Sequence, residues 1–166
     1  MTTTHLLILS DRAALSWVLT EQRMAFPARR SRQSRALTEG DEIMLYTTRG
    51  CFRNPTRDLG RVIALAEVSG PVRVLDEEVR LGGRRFPEGC PLQIRGLAPF
   101  REGLVLRDLV PSLTVFPDPA TWSIWLRRSS LPLPAGDAEL LRNALRPLLR
   151  PYAETVDQYR WGSAGR

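Results

Sequence analysis

The chain has 166 residues, of which 43% are hydrophobic and 25% are charged, so it is long and apolar enough for one domain with its own core, and wholesale disorder is excluded. All 24 basic residues are arginine and the formal net charge is +6, which excludes chemistry that needs a lysine and favours a polyanionic partner. Cys51 and Cys90 are too far apart for a metal pair or a disulfide framework, and the single histidine, His5, supports no zinc site.

The N-terminal region predicts a strand, a helix and a basic loop. Residues 5–10 (HLLILS) are a short apolar run, typical of a buried strand. Ser10 or Asp11 can cap a helix over residues 11–23, which has one apolar face. Pro27 ends the helical region. The arginine-rich stretch that follows is expected to be a loop or a short helix.

Strand patterns dominate the middle of the chain. Residues 38–49 predict a turn and a strand, residues 61–76 a long strand broken at Gly70–Pro71, residues 79–86 a hairpin and residues 90–99 a further strand. Gly82–Gly83 suits the two-residue turn of that hairpin because both positions tolerate positive φ. The predicted sheet therefore contains residues 5–10, 43–48, 61–69 and 91–97.

Helical patterns follow towards the C-terminus. Residues 104–116 predict a strand that leads into a helix, residues 119–130 a short helix and residues 134–150 an amphipathic helix. Residues 1–150 are expected to form a single domain, and residues 151–166 a mobile tail. Because strands and helices do not alternate regularly, the pattern favours an α+β fold with a strongly bent sheet or a partly closed barrel.

No sequence motif points to catalysis, so the chain is not expected to be an enzyme. It lacks GxSxG, a Walker glycine loop and HExxH. The acidic cluster Asp76–Glu78 is interpreted as a solvated turn. The alternative, a carboxylate pair for acid–base catalysis, would need the two groups to converge in a cleft. We expect no cofactor, no metal and no membrane span, because no apolar run reaches about 18 residues. The N-terminus resembles no signal peptide, and a cytoplasmic location is expected.

Aromatic residues lie near the predicted ends of strands and helices, where they could either pack in the core or stack on bases. Trp122 and Trp125 are three positions apart and would share a helix face. The aromatic candidates for a base pocket are Trp17, Phe26, Tyr46, Trp122 and Trp125.

The segment MAFPARRSRQSR (residues 24–35) places Met24 and Phe26 directly before a run of arginines. One interpretation is a solvated basic loop. The other is a pocket wall joined to a phosphate-binding lip, in which phosphate contacts position the nucleic acid and the pocket specifies the base. The candidate phosphate-binding residues are Arg29, Arg30, Arg32 and Arg35, with Arg127 and Arg128 further along the chain.

The order of several segments resembles the EVE domain, a member of the PUA-like group that is related to the YTH and ASCH domains. The segments are LLILSD, MAFPARR, GDEIMLY, GRVIALAEVSGPVRVLD, VLRDLVPSLTVF and WSIWLRRSSLPLPAGDAELL, and together they span about residues 5–145. Each motif is loose, and their order and spacing carry the resemblance.

The resemblance implies a PUA-like fold, a curved and partly closed β-barrel of five to six strands flanked by helices. It also implies a concave pocket for a modified nucleobase. Ser10 and Asp11 would then lie at the pocket rim, and Met24 stands where the family often carries the pocket tryptophan. Methionine stacks less strongly on a ring than tryptophan does.

The leading hypothesis is a non-enzymatic reader of a modified base in DNA or RNA. A second is a module that binds a free nucleoside or nucleotide, and a third is an accessory domain that binds a protein partner. Steep salt dependence of oligonucleotide binding would favour the first. Saturable nucleoside binding with little salt dependence would favour the second, and stable association with one protein alone would favour the third.

Overall fold

A strongly curved sheet organises the chain. The computed structural model describes residues 2–27, 37–52 and 59–161. Six strands form the main path of the sheet in the order β2-β6-β4-β3-β1-β8, while β5 pairs with β6 and β7 pairs with β4. The strands are β1 (Thr4–Leu9), β2 (Arg23–Phe26), β3 (Glu42–Thr47), β4 (Arg61–Val68), β5 (Arg73–Leu81), β6 (Arg84–Leu97), β7 (Leu104–Val105) and β8 (Ser130–Leu133). This curled, open half-barrel with flanking helices confirms the predicted PUA-like α+β fold.

The internal strand β1 is buried along its whole length, because it has neighbours on both edges and layers on both faces. It pairs in parallel with β3, where His5 lies opposite Ile43, and antiparallel with β8, where His5 lies opposite Pro132. A strand that is covered on both faces has a continuous apolar sequence rather than an alternating one. The apolar run of residues 5–10 is therefore explained by the cover on both faces of β1.

The sheet separates two apolar clusters, because successive side chains of a strand point to opposite faces. Leu7 of β1 and Leu45 of β3 belong to the first cluster, whereas Leu6 and Met44 belong to the second. The first face packs against α1 (Arg12–Glu21) and the C-terminal segment. The second packs against α2 (Ala135–Leu145) and against two 3-10 segments, Leu106–Ser112 and Pro119–Arg127.

Irregular pairing curves the sheet. The register shifts between Leu45 and Tyr46 in the β3–β4 pair, and between Leu65 and Ala66 in the β4–β6 pair. An extra residue on one strand bends it and increases its local twist. Two such irregularities on neighbouring strand pairs account for a sheet that curls instead of lying flat.

Helix α1 ends earlier than predicted, and β2 replaces its last part. We expected a helical region up to Pro27, but Gln22 adopts a left-handed conformation with φ 51° and ends the helix. The backbone carbonyl of Gln22 accepts from the N–H of Leu92 at 2.8 Å, and its side chain accepts from the N–H of Ile94 at 3.0 Å. These bonds to β6 start the antiparallel pairing of β2, which overrides local helix propensity.

The predicted hairpin and break are confirmed, although one strand is longer than expected. Gly82 and Gly83 have φ values of 56° and 76° between the paired residues Leu81 and Arg84, as a primed turn requires. A gap between β4 and β5 contains Gly70–Pro71. The second hairpin strand and the predicted strand at 90–99 are a single strand, β6, which pairs with β5 and β2 at its first half and with β4 at its second.

The C-terminal half contains shorter helices than the sequence suggested. The predicted helices in residues 104–116 and 119–130 are 3-10 segments, and the second has a kink at Thr121. Strand β8 was not predicted, because Pro132 interrupts its pattern and prolines are confined to edge strands. The amphipathic helix is confirmed as α2 and is followed by a 3-10 turn at Arg146–Leu148.

The expectation of a mobile tail from residue 151 is wrong for residues 151–161. Helix α3 (Tyr152–Thr155) and the 3-10 turn Val156–Tyr159 pack on the first cluster. The hydroxyl of Tyr159 donates to the carbonyl of Ala98 at 2.6 Å, and that of Tyr152 donates to the carbonyl of Leu19 at 2.6 Å. Residues 162–166 lie outside the described residues.

Candidate functional site

A cavity of about 370 Å³ opens beside the carboxyl end of β1. This volume is in the range of small-molecule pockets. Five parts of the chain meet there, namely the end of β1, the start of α1, strand β2, the tip of the β5–β6 hairpin and the end of the 3-10 segment Pro119–Arg127. The lining residues are Ile8, Leu9, Ser10, Asp11, Ala14, Trp17, Val18, Met24, Ala25, Pro27, Leu81, Arg84, Phe86, Leu126, Arg127, Arg128 and Ser129. We call this the first cavity.

Two aromatic side chains and one thioether contribute to the wall. Trp17 projects from α1, Met24 lies on β2 and Phe86 on β6. The guanidinium of Arg23 lies 5.4 Å from the centroid of the Trp17 ring, and that of Arg84 lies 5.5 Å from the centroid of Phe86. Such cation–π contacts hold the rings in place and keep positive charge near the opening.

The charged lining is mainly basic, with three arginines and one carboxylate. Arg84 comes from the hairpin, and Arg127 and Arg128 end the 3-10 segment. The guanidinium of Arg128 lies 5.1 Å from the centroid of the Trp125 ring. Because arginine remains protonated and presents a planar fork of donors, this rim suits phosphate or carboxylate groups.

Asp11 has a structural role at the rim. Its side chain accepts a hydrogen bond from the backbone N–H of Ala14 at 2.9 Å and so caps α1. Ser10 is exposed between β1 and that helix. The end of the strand and the first turn of the helix therefore bring both predicted rim residues to the cavity.

The structure brings together six of the predicted site residues and leaves four elsewhere. Ser10, Asp11, Trp17, Met24, Arg127 and Arg128 line the first cavity. Phe26 does not line it, because the side chain is fully buried in the first cluster. Trp125 supports Arg128 from outside the lining. Tyr46 and Trp122 line a different cavity.

Tyr46 does not line the first cavity, and its side chain packs in the second cluster. Trp122 lies in that same layer, where its ring meets the edge of Phe116 with centroids 5.8 Å apart. The predicted arginines Arg29, Arg30, Arg32 and Arg35 lie outside the described residues. Pro27, which precedes them in the sequence, lines the first cavity.

The hairpin residues Leu81, Arg84 and Phe86 were missed as site residues. The sequence contains a signal, since an Arg-Arg-Phe triplet directly follows the Gly-Gly turn. The turn predicts an exposed hairpin tip. It does not say which surface the tip will meet, and that depends on the pairing of the long strand β6 with both β2 and β5.

Cysteine chemistry and metal ligation find no support in the part of the chain that the structure describes. Burial raises the pKa of the Cys90 thiol to about 12, which disfavours the reactive thiolate. In residues 2–27, 37–52 and 59–161, no group of three or more His, Cys, Asp or Glu could hold a metal ion. Within those same ranges, no helix has the length and apolar character needed to cross a membrane.

No protein-family model and no curated protein sequence matches the chain. Among solved structures, Rpa0253 from Rhodopseudomonas palustris is 14% identical with a TM-score of 0.57, over 89% of this chain and 95% of that one. The YTH domain of the Zygosaccharomyces rouxii MRB1 protein, in complex with N6-methyladenosine RNA, is 16% identical with a TM-score of 0.60, over 86% of each chain.

Human THYN1, in complex with DNA that contains 5-methylcytosine, is 10% identical with a TM-score of 0.54, over 86% of this chain and 97% of that one. The matched regions cover most of both chains in each comparison, so the similarity extends over the whole sheet and its flanking helices. The chain therefore has the PUA-like fold of these YTH and THYN1 structures, which confirms the fold that its resemblance to EVE domains implied.

Proposed function

We propose that this chain is a non-enzymatic nucleic-acid-binding domain that holds one nucleobase in the first cavity and contacts phosphates through the surrounding arginines. One observation carries the proposal, namely a cavity of about 370 Å³ with aromatic and thioether walls and three arginines in its lining. Apolar walls suit the flat face of a base, and fixed positive charge suits the backbone that must remain outside.

The wall supplies the contacts that an extruded base needs. Taking a base out of its stack costs a few kcal/mol, which the pocket must offset with ring contacts and hydrogen bonds. Trp17 and Phe86 offer ring faces, and Met24 fits against an irregular edge. Ser10 and Asp11 are the polar rim groups that could bond to the edge of a base.

The arginines supply affinity and orientation. Arg84 and Arg128 approach the cavity from opposite parts of the chain, one on the hairpin and one after the 3-10 segment. Arg29 and Arg30 follow the cavity residue Pro27 by two and three positions in the sequence. Contacts of this kind fix the register of a strand and carry no sequence information of their own.

A methylated base is the proposed ligand class. Two proteins of the same fold were solved with nucleic acids that carry a methyl group on a base, N6-methyladenosine in RNA and 5-methylcytosine in DNA. An apolar wall gains from burying an added methyl group by about 0.8 kcal/mol. The sugar and the identity of the base are left to experiment.

The test is a binding screen over modified and unmodified oligonucleotides in both sugar backbones. Trp17→Leu should reduce affinity and preference for the modified base, because ring stacking contributes about 1–3 kcal/mol per base. Arg84→Gln and Arg128→Gln should weaken binding to every sequence and reduce its salt dependence. Arg73→Gln is the matched control, since Arg73 is exposed and lies at the end of β5 remote from the hairpin turn.

Replacement of Arg29, Arg30 and Arg32 together by Ala should lower the slope of log affinity against log salt by about 0.7–0.9 for each lost phosphate contact. An unchanged slope would mean that these residues form only a solvated loop. Nucleoside binding that is insensitive to salt, without oligonucleotide binding, would assign the cavity to a small molecule instead. Failure of both ligands to bind would contradict the proposed function.

A further inference from the structure

A second cavity, of about 360 Å³, adjoins the first cavity at Leu126. Leu126 is a lining residue of both cavities, so the two cavities lie next to each other. The second cavity is formed where the end of β3 and the start of β4 meet the two 3-10 segments. Tyr46, Arg49, Arg107, Trp122 and Ser123 contribute to its wall.

The described lining of this second cavity combines aromatic surface with positive charge. It contains two arginines and no carboxylate. Arg107 is exposed at the surface, where a charged group can reach an anionic ligand without burial of an uncompensated charge. An apolar ligand would make no favourable contact with these guanidinium groups. A ligand that has both a ring and an anionic group would contact the aromatic side chains and the arginines together.

The aromatic part of the wall is fixed by packing. The ring of Trp122 meets Phe116 edge-on, with centroids 5.8 Å apart. Tyr46 is almost fully buried, and burial raises its pKa to about 12, so its hydroxyl keeps its proton at physiological pH. Rings that are already held in place lose little conformational entropy when a ligand binds.

The segment on either side of Leu126 runs from one cavity to the other. Arg127 and Arg128 directly follow Leu126 and line the first cavity, while Trp122 and Ser123 precede it and line the second. A chain molecule that passes over Leu126 would thus place one unit in each cavity, with cationic groups near the connection. Single-stranded nucleic acid has this arrangement of rings joined by phosphates.

We propose that the second cavity binds the nucleotide adjacent to the one whose base occupies the first cavity. This inference rests on the proposed function and extends it, because it assigns a footprint of at least two consecutive nucleotides to the domain. A free nucleotide in the second cavity is the alternative occupant, and the experiment separates the two.

The experiment measures the affinity of the parent and its variants for oligonucleotides of one to four residues, in both sugar backbones and at several salt concentrations. Arg107→Gln removes one cation from the second cavity, and Ser123→Glu adds a carboxylate at an exposed position there. Arg73→Gln repeats the loss of charge at a position that lines neither cavity. Trp17→Leu reports on the first cavity alone.

In the parent, affinity should rise by about tenfold or more from the mononucleotide to the dinucleotide, because a second base stacks. Arg107→Gln and Ser123→Glu should abolish most of that rise and leave mononucleotide binding unchanged. Arg107→Gln should also reduce the salt slope for the dinucleotide by about 0.7. Trp17→Leu should weaken every length, and Arg73→Gln should match the parent.

Affinity could depend on oligonucleotide length in Arg107→Gln and Ser123→Glu as it does in the parent, while Trp17→Leu still weakens binding. That result would overturn this inference and leave the proposed function standing. Loss of mononucleotide binding in the second-cavity variants would show a separate small-molecule site and would also overturn it. Absence of binding to any oligonucleotide by the parent would overturn both.

Discussion

The carboxylate of Asp11 accepts a hydrogen bond from the backbone N–H of Ala14 at 2.9 Å, and both residues line the first cavity. One side chain thus ends the exposed stretch after β1, caps α1 and contributes to the rim of the proposed base pocket. The bond to Ala14 uses only part of the capacity of the carboxylate, because an ionised carboxylate offers about four acceptor positions. The capping role and a base-reading role are therefore compatible.

Asp11→Asn should separate these two roles. Asparagine caps a helix about as well as aspartate, so the free energy of unfolding should stay near that of the parent. Asp11→Ala should reduce it by about 0.5–2 kcal/mol. If the carboxylate accepts a hydrogen bond from an exocyclic amine, Asp11→Asn should also change base preference. Urea denaturation and oligonucleotide selectivity measure the two effects.

Unchanged selectivity in Asp11→Asn would restrict Asp11 to its structural role. Phe26→Ala is an informative companion, because Phe26 is buried in the first cluster and does not line the cavity. It should lower stability by about 3–5 kcal/mol, as loss of a large core side chain does. It should alter selectivity only if the fold itself is disturbed.

The strands that could be predicted from the sequence are those whose pattern is local. The apolar runs of β1, β3 and β4 and the Gly-Gly turn specify strands without knowledge of their partners. Strand β2 could not be predicted in this way. Its four residues follow a helical pattern, and they become a strand because β6, which lies far along the chain, provides their hydrogen-bond partners.

The same distinction separates the predicted site residues. Ser10, Asp11 and Trp17 reach the first cavity because their positions follow from the junction of β1 and α1, which is a local feature. Tyr46 and Trp122 were placed there too, but they pack in or against the second cluster and line the second cavity. Which face a strand residue occupies depends on register, and a shift of one residue reverses it.

The C-terminal segment should be needed for stability. Removal of residues 151–166 would expose the first cluster, where Val156 and Tyr159 are almost completely buried. Tyr159→Phe should cost about 0.5–1.5 kcal/mol or more, because the carbonyl of Ala98 loses its 2.6 Å hydrogen bond. Glu154→Gln, an exposed change in α3, should stay within about 0.5 kcal/mol of the parent.

Chemical denaturation of the three proteins measures these differences. A shortened chain ending at residue 150 that unfolds at the same denaturant concentration as the parent would contradict the packed position of α3.

Gly60 should not tolerate even a methyl group. A Cβ at this position would overlap the hydroxyl of Tyr46 and lie 2.6 Å from its Cζ. Gly60→Ala should therefore lower the free energy of unfolding by about 1–3 kcal/mol through overpacking. Gly50→Ala is the matched control, because a Cβ there meets no atom within 4 Å.

Tyr46→Phe should relieve part of the cost of Gly60→Ala, since it removes the overlapping hydroxyl and leaves the ring in place. A double-mutant cycle with denaturant unfolding measures that coupling. Additive effects in the cycle would mean that the side chain of Tyr46 moves away from Gly60 instead of resisting it.

A buried pair at the other end of β1 should make stability depend on pH. Nε2 of His5 lies 3.1 Å from Oδ2 of Asp41, and Nδ1 of His5 is buried without a hydrogen-bond partner among the described residues. Burial lowers the pKa of His5 and outweighs the hydrogen bond and the charge of Asp41, which raise it. Burial alone would raise the pKa of Asp41, but hydrogen bonds from Thr3, Thr38 and His5 hold it below its ordinary value.

The pKa of His5 is lower in the folded state than in the unfolded state, where it is about 6.5. As the pH falls below that value, the unfolded chain therefore binds more protons than the folded chain does. The contribution of His5 to the free energy of unfolding is thus fully present above about pH 6.5, and it decreases as the pH falls towards the pKa of His5 in the folded state. The contribution of Asp41 is lost in a separate, more acidic window, below its ordinary pKa of 3.8.

His5→Gln should flatten the stability profile between about pH 5 and 7, because glutamine can donate to Asp41 but does not titrate. Denaturant unfolding of parent and variant across that range measures the difference in slope, whatever the change in absolute stability. The chain has a single histidine, so an NMR titration of its imidazole gives the folded pKa directly. An imidazole that titrates at or above 6.5, or equal slopes in the two proteins, would contradict the buried neutral state of His5.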